Sequence, residues 1–331
     1  MKAVLFLASP NRNFQPILKE GRSASFLPVN LEKNLLSLKY TKLNSYFSKD
    51  KIYVSCTPET LDDVKKSCRG ISEENIIIEP AYINYSISMY YASLVLNKIS
   101  PDSIVLYMPG HFLFKKQFKI ENWLYAVSEI AEKDWVIVPS VFFDRTESHS
   151  KYIDAGKIFG NVKKTELFLV NKIFRTTEEI KRRKIFGKQG KILYIVCSKV
   201  KSLTKSYLSS SKNSFFSDLQ ACFKADIVDW NSITKQYDSL SDEDSDYDFF
   251  SSNKDFLTTF FNIEPDFIDS WAQYYEIFAL QNTKNILHGN VNVNNCSNVI
   301  TFNYDEDEVY LENLTNTVCF KKNGLVAIKN Y

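Results

Sequence analysis

Short, nearly continuous apolar runs alternate with helical patterns through the first 140 residues, and this alternation most constrains the fold. The runs lie at Met1–Ala8, Lys51–Cys56, Ile76–Ile78, Ser103–Tyr107 and Trp135–Val138. Runs without polar alternation are typical of strands that are buried on both faces of a sheet. Strands that alternate with helices predict an α/β domain with a mostly parallel, doubly wound sheet.

The pattern weakens after residue 140, where the sequence 192–197 (ILYIVC) predicts a single further strand. The last forty-odd residues have a different character, because short strand patterns are separated by Asn, Asp and Gly turns. These patterns lie at Asn290–Val293, Val299–Phe302, Val309–Leu311, Thr317–Phe320 and Leu325–Ile328. We therefore predict an α/β domain over residues 1–280 and a small all-β domain over residues 281–331.

Composition excludes several classes of function. The chain has 331 residues, with 41 Lys and Arg against 39 Asp and Glu. This balance gives no electrostatic reason to expect a nucleic-acid or membrane partner. The six cysteines include no C-x-x-C pair, which favours reduced core thiols over a metal cluster or disulfide framework. The first apolar run is too short for a secretory signal, so we expect a cytoplasmic protein.

The turn after the first apolar run is unusual for its position. In α/β proteins the loop after the first strand commonly grips a phosphate with backbone N–H groups, and close approach there normally requires glycine. The turn 9–13 (SPNRN) has no glycine, and the first glycine of the chain is Gly21. Only 9 of 331 residues are glycine, which is about 3% against a usual value of about 7%. The position fits a phosphate loop, but its residues do not.

Several short motifs carry a family resemblance across nearly the whole chain. They include Leu7-Ala8, Glu79-Pro80 followed by Asn84, Pro109 followed by His111, and Asp246-Tyr247. In this order they resemble bacterial mannose-1-phosphate guanylyltransferases, which are sugar-1-phosphate nucleotidyltransferases. The resemblance implies a Rossmann-like mixed sheet flanked by helices, of the nucleotidyltransferase or GT-A-like type, with a β-helical C-terminal piece. It also implies chemistry that uses GTP, Mg²⁺ and mannose-1-phosphate to make GDP-mannose.

The polar residues that carry this chemistry in the family are replaced in this chain. The glycine loop is gone, and Ala24 and Ile83 stand where the motifs have a phosphate-contacting lysine and an arginine. Gly110 and Phe267 stand at the positions of the two metal-binding aspartates. Because nucleotidyl transfer depends on Mg²⁺ and on cations that offset phosphate charge, these losses together predict negligible turnover.

We therefore predict a non-catalytic regulatory or binding homologue that has no cofactor. Its expected ligands are GTP, GDP-mannose or mannose-1-phosphate, and its expected protein partner is a second copy or an active paralogue. The alternative is an active nucleotidyltransferase with a rearranged Mg²⁺ site, in which Asp244, Asp266 or Asp269 supplies the carboxylates. A third reading is a sensor that binds a nucleotide sugar without turning it over.

Five residues are predicted to keep contact with a nucleotide or sugar phosphate. They are Arg12, Asn84, His111, Lys172 and Asp246. Most of these residues could instead have an ordinary structural or surface role. Arg12 also suits a solvated turn, His111 a structural role at a strand end, and Asp246 an exposed acidic segment. Lys172 is the best single candidate for contact with a sugar phosphate.

Overall fold

The computed structural model describes residues 1–7, 12–15, 17–18, 22–114, 120–142, 151–174, 188–209, 213–223, 229–239, 256–262, 265–279 and 284–331. Within this part of the chain the helices are α1 (Leu35–Leu43), α2 (Leu61–Ser67), α3 (Tyr85–Ile99), α4 (Ile120–Ala131), α5 (Val200–Leu208), α6 (Asn213–Cys222), α7 (Trp230–Asp238) and α8 (Trp271–Phe278).

The strands of the α/β region in the same ranges are β1 (Lys2–Phe6), β2 (Ile52–Cys56), β3 (Ile76–Ile78), β4 (Ile104–Pro109), β5 (Phe112–Leu113), β6 (Val136–Ile137), β7 (Ser140–Val141), β8 (Tyr152–Val162), β9 (Thr165–Phe174), β10 (Lys188–Ile192), β11 (Val196–Lys199), β12 (Phe256–Thr258), β13 (Phe260–Phe261) and β14 (Asp266–Phe267). Six more strands follow at the C-terminal end: β15 (Asn285–His288), β16 (Val291–Asn294), β17 (Ser297–Asn303), β18 (Val309–Glu312), β19 (Thr315–Lys322) and β20 (Leu325–Asn330).

The first half of the large sheet is parallel, in the order β3-β2-β1-β4. Successive residues of β1 face opposite sides, so Ala3 and Leu5 pack with one core while Val4 and Phe6 pack with the other. One core includes residues of α1, α2 and α4, and the other includes residues of α3, α5, α6 and α7. Helices therefore cover both faces, which confirms the predicted Rossmann-like sheet flanked by helices.

The second half of the sheet is mixed and returns on itself. Antiparallel pairing runs from β7 through β10, β8 and β9 to β12. In addition, β12 pairs in parallel with β6, and β13 pairs in parallel with β7. The prediction of one strand over residues 192–197 is wrong, because two strands share this segment. Tyr194 between them has a φ of 54°, and the bend lets β10 pair with β8 while β11 pairs with β4.

The C-terminal strands stack as a small parallel β-helix, as predicted. β15, β17 and β19 pair in parallel, and β16 pairs in parallel with β18. The turns stack as asparagine ladders, since Asn295 donates to Asn313 at 2.6 Å and Asn298 donates to Asn316 at 2.8 Å. All four asparagines have positive φ, which asparagine tolerates better than most other residues.

The tail and the α/β region share one hydrophobic core. Phe14, Leu27 and Trp271 from the first 280 residues cluster with Ile300 and Phe302 of the tail. No helix in the described ranges combines the length and the apolar character that crossing a membrane requires. The division at residue 280 remains a prediction, because a shared core leaves open how independently the two parts fold.

Candidate functional site at the carboxyl edge of the parallel strands

The four parallel strands β1 to β4 end on the same side of the sheet, and we call this side the carboxyl edge. Ligands of α/β proteins commonly bind outside such an edge. Of the predicted site residues, Arg12 lies in a short 3₁₀ helix, Arg12–Phe14, after β1. Asn84 lies after β3, and His111 lies directly after β4. Asp244 and Asp246 lie outside the described residues, as do residues 8–11 of the first turn.

A cavity of about 310 Å³ opens at the carboxyl edge. It is lined by Leu7, Ser23, Cys56, Thr57, Glu59, Thr60, Glu79, Pro80, Ala81 and Tyr82. Its volume falls within the usual range for small-molecule sites. The described lining residues offer hydroxyl and carboxylate groups, and none of them is Lys or Arg, so this part of the cavity suits a ligand group that donates hydrogen bonds.

Glu79 is the buried carboxyl group of this cavity. Both of its oxygens accept hydrogen bonds from the Ser88 hydroxyl, at 3.0 and 2.8 Å. The hydroxyls of Ser55 and Tyr237 donate to it at 3.2 and 3.5 Å. Burial raises the pKa of Glu79 to about 7, although these hydrogen bonds act in the opposite direction. The carboxyl group is therefore held by hydroxyls and is close to half-protonated at neutral pH.

His111 is buried beside the cavity and is neutral at physiological pH. Its ring stacks on Tyr85 with centroids 6.1 Å apart, and its Nδ1 lies 3.2 Å from the Tyr85 hydroxyl. Burial, aided by the nearby charge of Lys39, lowers the pKa of His111 to about 3. A neutral imidazole cannot offset phosphate charge as a cation would. It can still donate or accept one hydrogen bond.

Gly110, which the resemblance predicts at the position of the first metal aspartate, has little room for a side chain. Its N–H donates to the Phe6 carbonyl at 2.7 Å. A Cβ at this position would lie 3.0 Å from the same oxygen and 3.1 Å from Ser25 Oγ. These distances are tighter than ordinary van der Waals contacts, so a carboxylate here would require its neighbours to move.

Phe267, which the resemblance predicts at the position of the second metal aspartate, packs an aromatic ring beside His111. It lies on β14, which pairs with β5. Its ring centroid is 5.4 Å from that of Phe112 and 5.8 Å from that of His111. The ammonium of Lys191 lies 5.7 Å from the Phe267 ring centroid. A ring with a nearby ammonium cannot supply a ligand to Mg²⁺, which prefers oxygen.

Lys39 is a buried cation that sequence reasoning missed. Its side chain leaves α1, donates to the Phe112 carbonyl at 3.0 Å, and lies 3.2 Å from the centroid of the Phe112 ring. No carboxylate of the described residues forms an ion pair with it, and burial lowers its pKa well below the ordinary value. The sequence could have indicated its burial, because Lys39 is four residues from both Leu35 and Leu43 and therefore lies on the same, buried face of α1.

The two aspartates of the alternative metal site are placed differently. Asp266 is next to Phe267 on β14, so their side chains leave opposite sides of the strand. Asp269 is 61% exposed, and its Oδ1 lies 3.8 Å from His111 Nε2. Within the described ranges no three His, Cys, Asp or Glu side chains are grouped to hold a metal ion. The described residues therefore do not fit a Mg²⁺ site of the family type.

Asn84 and Lys172 have contacts that suit structural roles. Asn84 caps α3, since its Oδ1 accepts a hydrogen bond from the Ile87 N–H at 3.1 Å. Lys172 is exposed on β9, and its ammonium lies 5.3 Å from the Phe174 ring centroid. The structure thus brings together Lys39, His111, Phe267 and Asp269. Of these four, the sequence had singled out all but Lys39.

The chain matches no protein-family model and no curated protein sequence. Its fold is nevertheless similar to solved structures. One is named mannose-1-phosphate geranyltransferase, from Thermus thermophilus, with 13% identity, a TM-score of 0.76, and coverage of 99% of this chain and 94% of that chain. Another is mannose-6-phosphate isomerase from Helicobacter pylori, with 13% identity, a TM-score of 0.58, and coverage of 80% and 99%.

A third similar structure is a candidate glucose-1-phosphate thymidylyltransferase from Bacillus anthracis, in complex with sucrose. It has 11% identity and a TM-score of 0.52, and the match covers 84% of this chain and 94% of that chain. At these identities the likeness concerns the fold alone. The fold of this chain is similar to that of the Thermus thermophilus structure over nearly its whole length, including the C-terminal strands, and to the other two structures over most of its length.

Proposed function

We propose that this protein binds a nucleotide or a nucleotide sugar at the carboxyl edge without catalysing nucleotidyl transfer. The observation that carries the proposal is that the described residues around His111 include a tightly packed glycine, an aromatic ring and a buried lysine, and no group of carboxylates that could hold a metal ion. Gly110, Phe267 and Lys39 occupy the region where the motifs of mannose-1-phosphate guanylyltransferases would place carboxylates. The shared fold and the surviving motifs support an origin in that family.

The electrostatics of this region oppose metal-dependent chemistry. Mg²⁺ is normally held by one or two protein carboxylates together with substrate phosphates. Lys39 is buried in this region, and a metal cation close to it would further disfavour its charged form, which burial already disfavours. Loss of a metal site and of phosphate donors each costs orders of magnitude in rate, so we expect no measurable turnover.

The cavity beside Glu79 supports retained binding. Its carboxyl and hydroxyl groups accept hydrogen bonds, which suits the N–H groups of a base or the hydroxyls of a sugar. A guanidinium lies at the rim, where Arg22 contacts Asp63 Oδ2 at 2.7 Å and the Glu59 carbonyl at 2.5 Å. We propose GTP, GDP-mannose and mannose-1-phosphate as the ligands to test, with the ring system inside the cavity and the phosphates outside it.

Thermal unfolding with each ligand, with and without Mg²⁺, tests this proposal. A ligand at about 100 times its Kd stabilises a protein by about 2.7 kcal/mol, which raises Tm by a few degrees. We expect at least one ligand to raise Tm equally with and without Mg²⁺. Ala81→Trp should abolish the shift by filling the cavity. Ala221→Trp, at an exposed alanine of α6, is the matched control and should keep the shift.

Two outcomes would contradict the proposal. The absence of any shift at millimolar ligand would show that the cavity binds none of them. A Mg²⁺-dependent shift with GTP, together with pyrophosphate release in the presence of mannose-1-phosphate, would instead support an enzyme with a rearranged metal site. The observation that favours this alternative is the exposed carboxylate of Asp269 beside His111.

We also propose association with a second copy or with an active paralogue. β20 is an edge strand that pairs only with β19 among the described strands, and it exposes Leu325, Val326 and Ile328. Exposed apolar edges are a common means by which sheets pair with other chains. Sedimentation velocity should give a species larger than the monomer. A monomer at every concentration, alone and in mixture with an active relative, would contradict the association.

A further inference from the structure

A second cavity, of about 650 Å³, lies where β7 and β13 end, next to the tip of the β8–β9 hairpin. It is lined by Asn122, Trp123, Phe142, Asn161, Lys163, Lys164, Thr165, Glu166, Phe168, Lys188, Thr259, Phe260, Phe261 and Asn262. Among the described residues, it shares no lining residue with the cavity beside Glu79. We call it the hairpin cavity.

An aromatic surface is exposed in the hairpin cavity. Phe142 is 47% exposed and stacks on Phe260, with centroids 4.6 Å apart and an angle of 13° between the rings. Phe168 meets Phe260 edge-on at 5.6 Å. Gly190 makes this arrangement possible, since a Cβ there would lie 2.7 Å from Phe260 Cε1. Because Phe260 covers one face of Phe142, the exposed area of Phe142 offers a planar surface for stacking.

Positive charge surrounds this surface. The two turn residues of the hairpin, Lys163 and Lys164, both have positive φ, at 45° and 67°. Two-residue turns of this kind normally use Asn-Gly, so lysines at both positions carry backbone strain. The Lys163 ammonium lies 3.5 Å from the Tyr125 ring centroid. Lys188 is paired with Glu166 at 2.9 Å, so among the described lining residues Lys163 and Lys164 leave two positive charges in excess.

Hydrogen-bonding groups complete the lining. Three amides, from Asn122, Asn161 and Asn262, offer both donors and acceptors. The indole N–H of Trp123 is buried and has no hydrogen-bond partner among the described residues. Buried donors without partners are rare in folded proteins. The cavity thus combines an open aromatic face, adaptable amides and a surplus of ammonium groups.

We propose that the hairpin cavity binds a nucleotide, with the base stacked on Phe142 and the phosphate near Lys163 and Lys164. Aromatic side chains stack on bases of any sequence, and ammonium groups pair with phosphate. A sugar phosphate without a base would use the lysines but would lack a planar aromatic ring to stack on Phe142. The inference is independent of the proposed function, because the two cavities have no lining residue in common.

Isothermal titration with guanosine and adenosine 5′-monophosphate, without Mg²⁺, tests this inference. We expect Phe142→Ala to weaken binding about tenfold or more, which is the usual effect of removing a stacking partner. Lys164→Gln should weaken binding severalfold and reduce its salt dependence. The controls are Tyr310→Ala, at an exposed aromatic residue of the tail, and Lys133→Gln, at an exposed lysine after α4. Both should bind within twofold of the wild type.

Three results would overturn the inference. Ribose 5-phosphate that binds as tightly as the nucleotides would show that no ring is recognised. Absence of nucleotide binding at millimolar concentration would exclude the site. Binding that is unaffected by Phe142→Ala but lost in Ala81→Trp would place the nucleotide in the cavity beside Glu79. In that case the proposed function would stand and this inference would fail. Unchanged circular dichroism verifies that each variant is folded.

Discussion

Three ionisable side chains, Lys39, Glu79 and His111, are each less than a tenth exposed near the carboxyl edge. None has an oppositely charged partner within 4 Å that is itself buried among the described residues. Burial therefore determines their protonation states. It lowers the pKa of Lys39 and His111 and raises the pKa of Glu79. Buried ionisable groups of this kind are more typical of functional sites than of ordinary cores.

The raised pKa of Glu79 predicts a specific pH dependence of stability. The folded state holds this proton up to pH about 7, whereas the ordinary carboxyl releases it near 4.5. The stabilisation is therefore complete below pH 4.5 and is lost as the pH rises to 7. The change amounts to roughly 3 kcal/mol in the free energy of unfolding. The free energy of unfolding of Glu79→Gln, measured by urea unfolding, should therefore rise by about this amount relative to that of the wild type between pH 4.5 and about 8.

The control for this comparison is Glu74→Gln, at an exposed residue before β3. It should follow the wild type at each pH. A difference between Glu79→Gln and the wild type that stays constant across this range would mean that Glu79 titrates in the folded state as it does in the unfolded chain.

At the scale of elements, the long β8–β9 hairpin and the neighbouring β10 contain glycines whose surroundings differ. A Cβ added at Gly160 of β8 would meet no atom within 4 Å, so its neighbours do not require glycine. Gly190 of β10 is different. A Cβ there would lie 2.8 Å from Ser140 Cβ and 3.0 Å from the Val141 carbonyl oxygen. Close approach of β7 and Phe260 therefore depends on Gly190.

This contrast predicts opposite effects of the same substitution. Gly190→Ala should lower the free energy of unfolding by about 1–3 kcal/mol, because the strand neighbours must move to admit a methyl group. Gly160→Ala should be neutral or stabilising by a few tenths of a kcal/mol, since alanine restricts the unfolded chain. Urea unfolding of both variants measures the difference. Equal effects would show that β7 does not pack against β10 as closely as the distances indicate.

At the scale of the whole molecule, the β-helical tail and the α/β region are joined by a common core. Phe302 of β17 is fully buried, and its ring centroid is 6.2 Å from that of Tyr274 on α8. The Tyr274 hydroxyl in turn donates to the Pro28 carbonyl at 2.7 Å. Packing that links three distant segments of the chain favours cooperative unfolding of both parts.

Phe302→Ala should destabilise the entire protein. Removal of a buried Phe typically costs about 3–5 kcal/mol. Because the core is shared, circular dichroism and tryptophan fluorescence should report one transition at a lower urea concentration. Tyr310→Ala, at an exposed tail residue, is the control and should leave the transition in place. Two separate transitions would instead support independent domains divided near residue 280.

Much of the architecture could be predicted from the sequence, because local patterns determine it. Runs such as 103–107 lack polar alternation, so they had to lie inside a sheet covered on both faces. Asparagine turns marked the rungs of the tail. The bend at Tyr194 was missed, because an apolar run does not reveal that its two halves pair with different strands. The hairpin of β8 and β9 was missed, because its strands mix buried, half-buried and exposed residues and lack a continuous apolar pattern.

The sequence by itself determined which chemical groups are present, including Gly110 and Phe267 at positions where the predicted resemblance would place aspartates. Only the tertiary structure decided which side chains surround these positions. Lys39 contacts Phe112, which is 73 residues away in the sequence, and the Phe267 ring contacts His111 over a larger sequence separation. Burial and charge at a site depend on such long-range contacts, because solvent is excluded by all the surrounding segments together. Side-chain spacing along one segment cannot encode that exclusion.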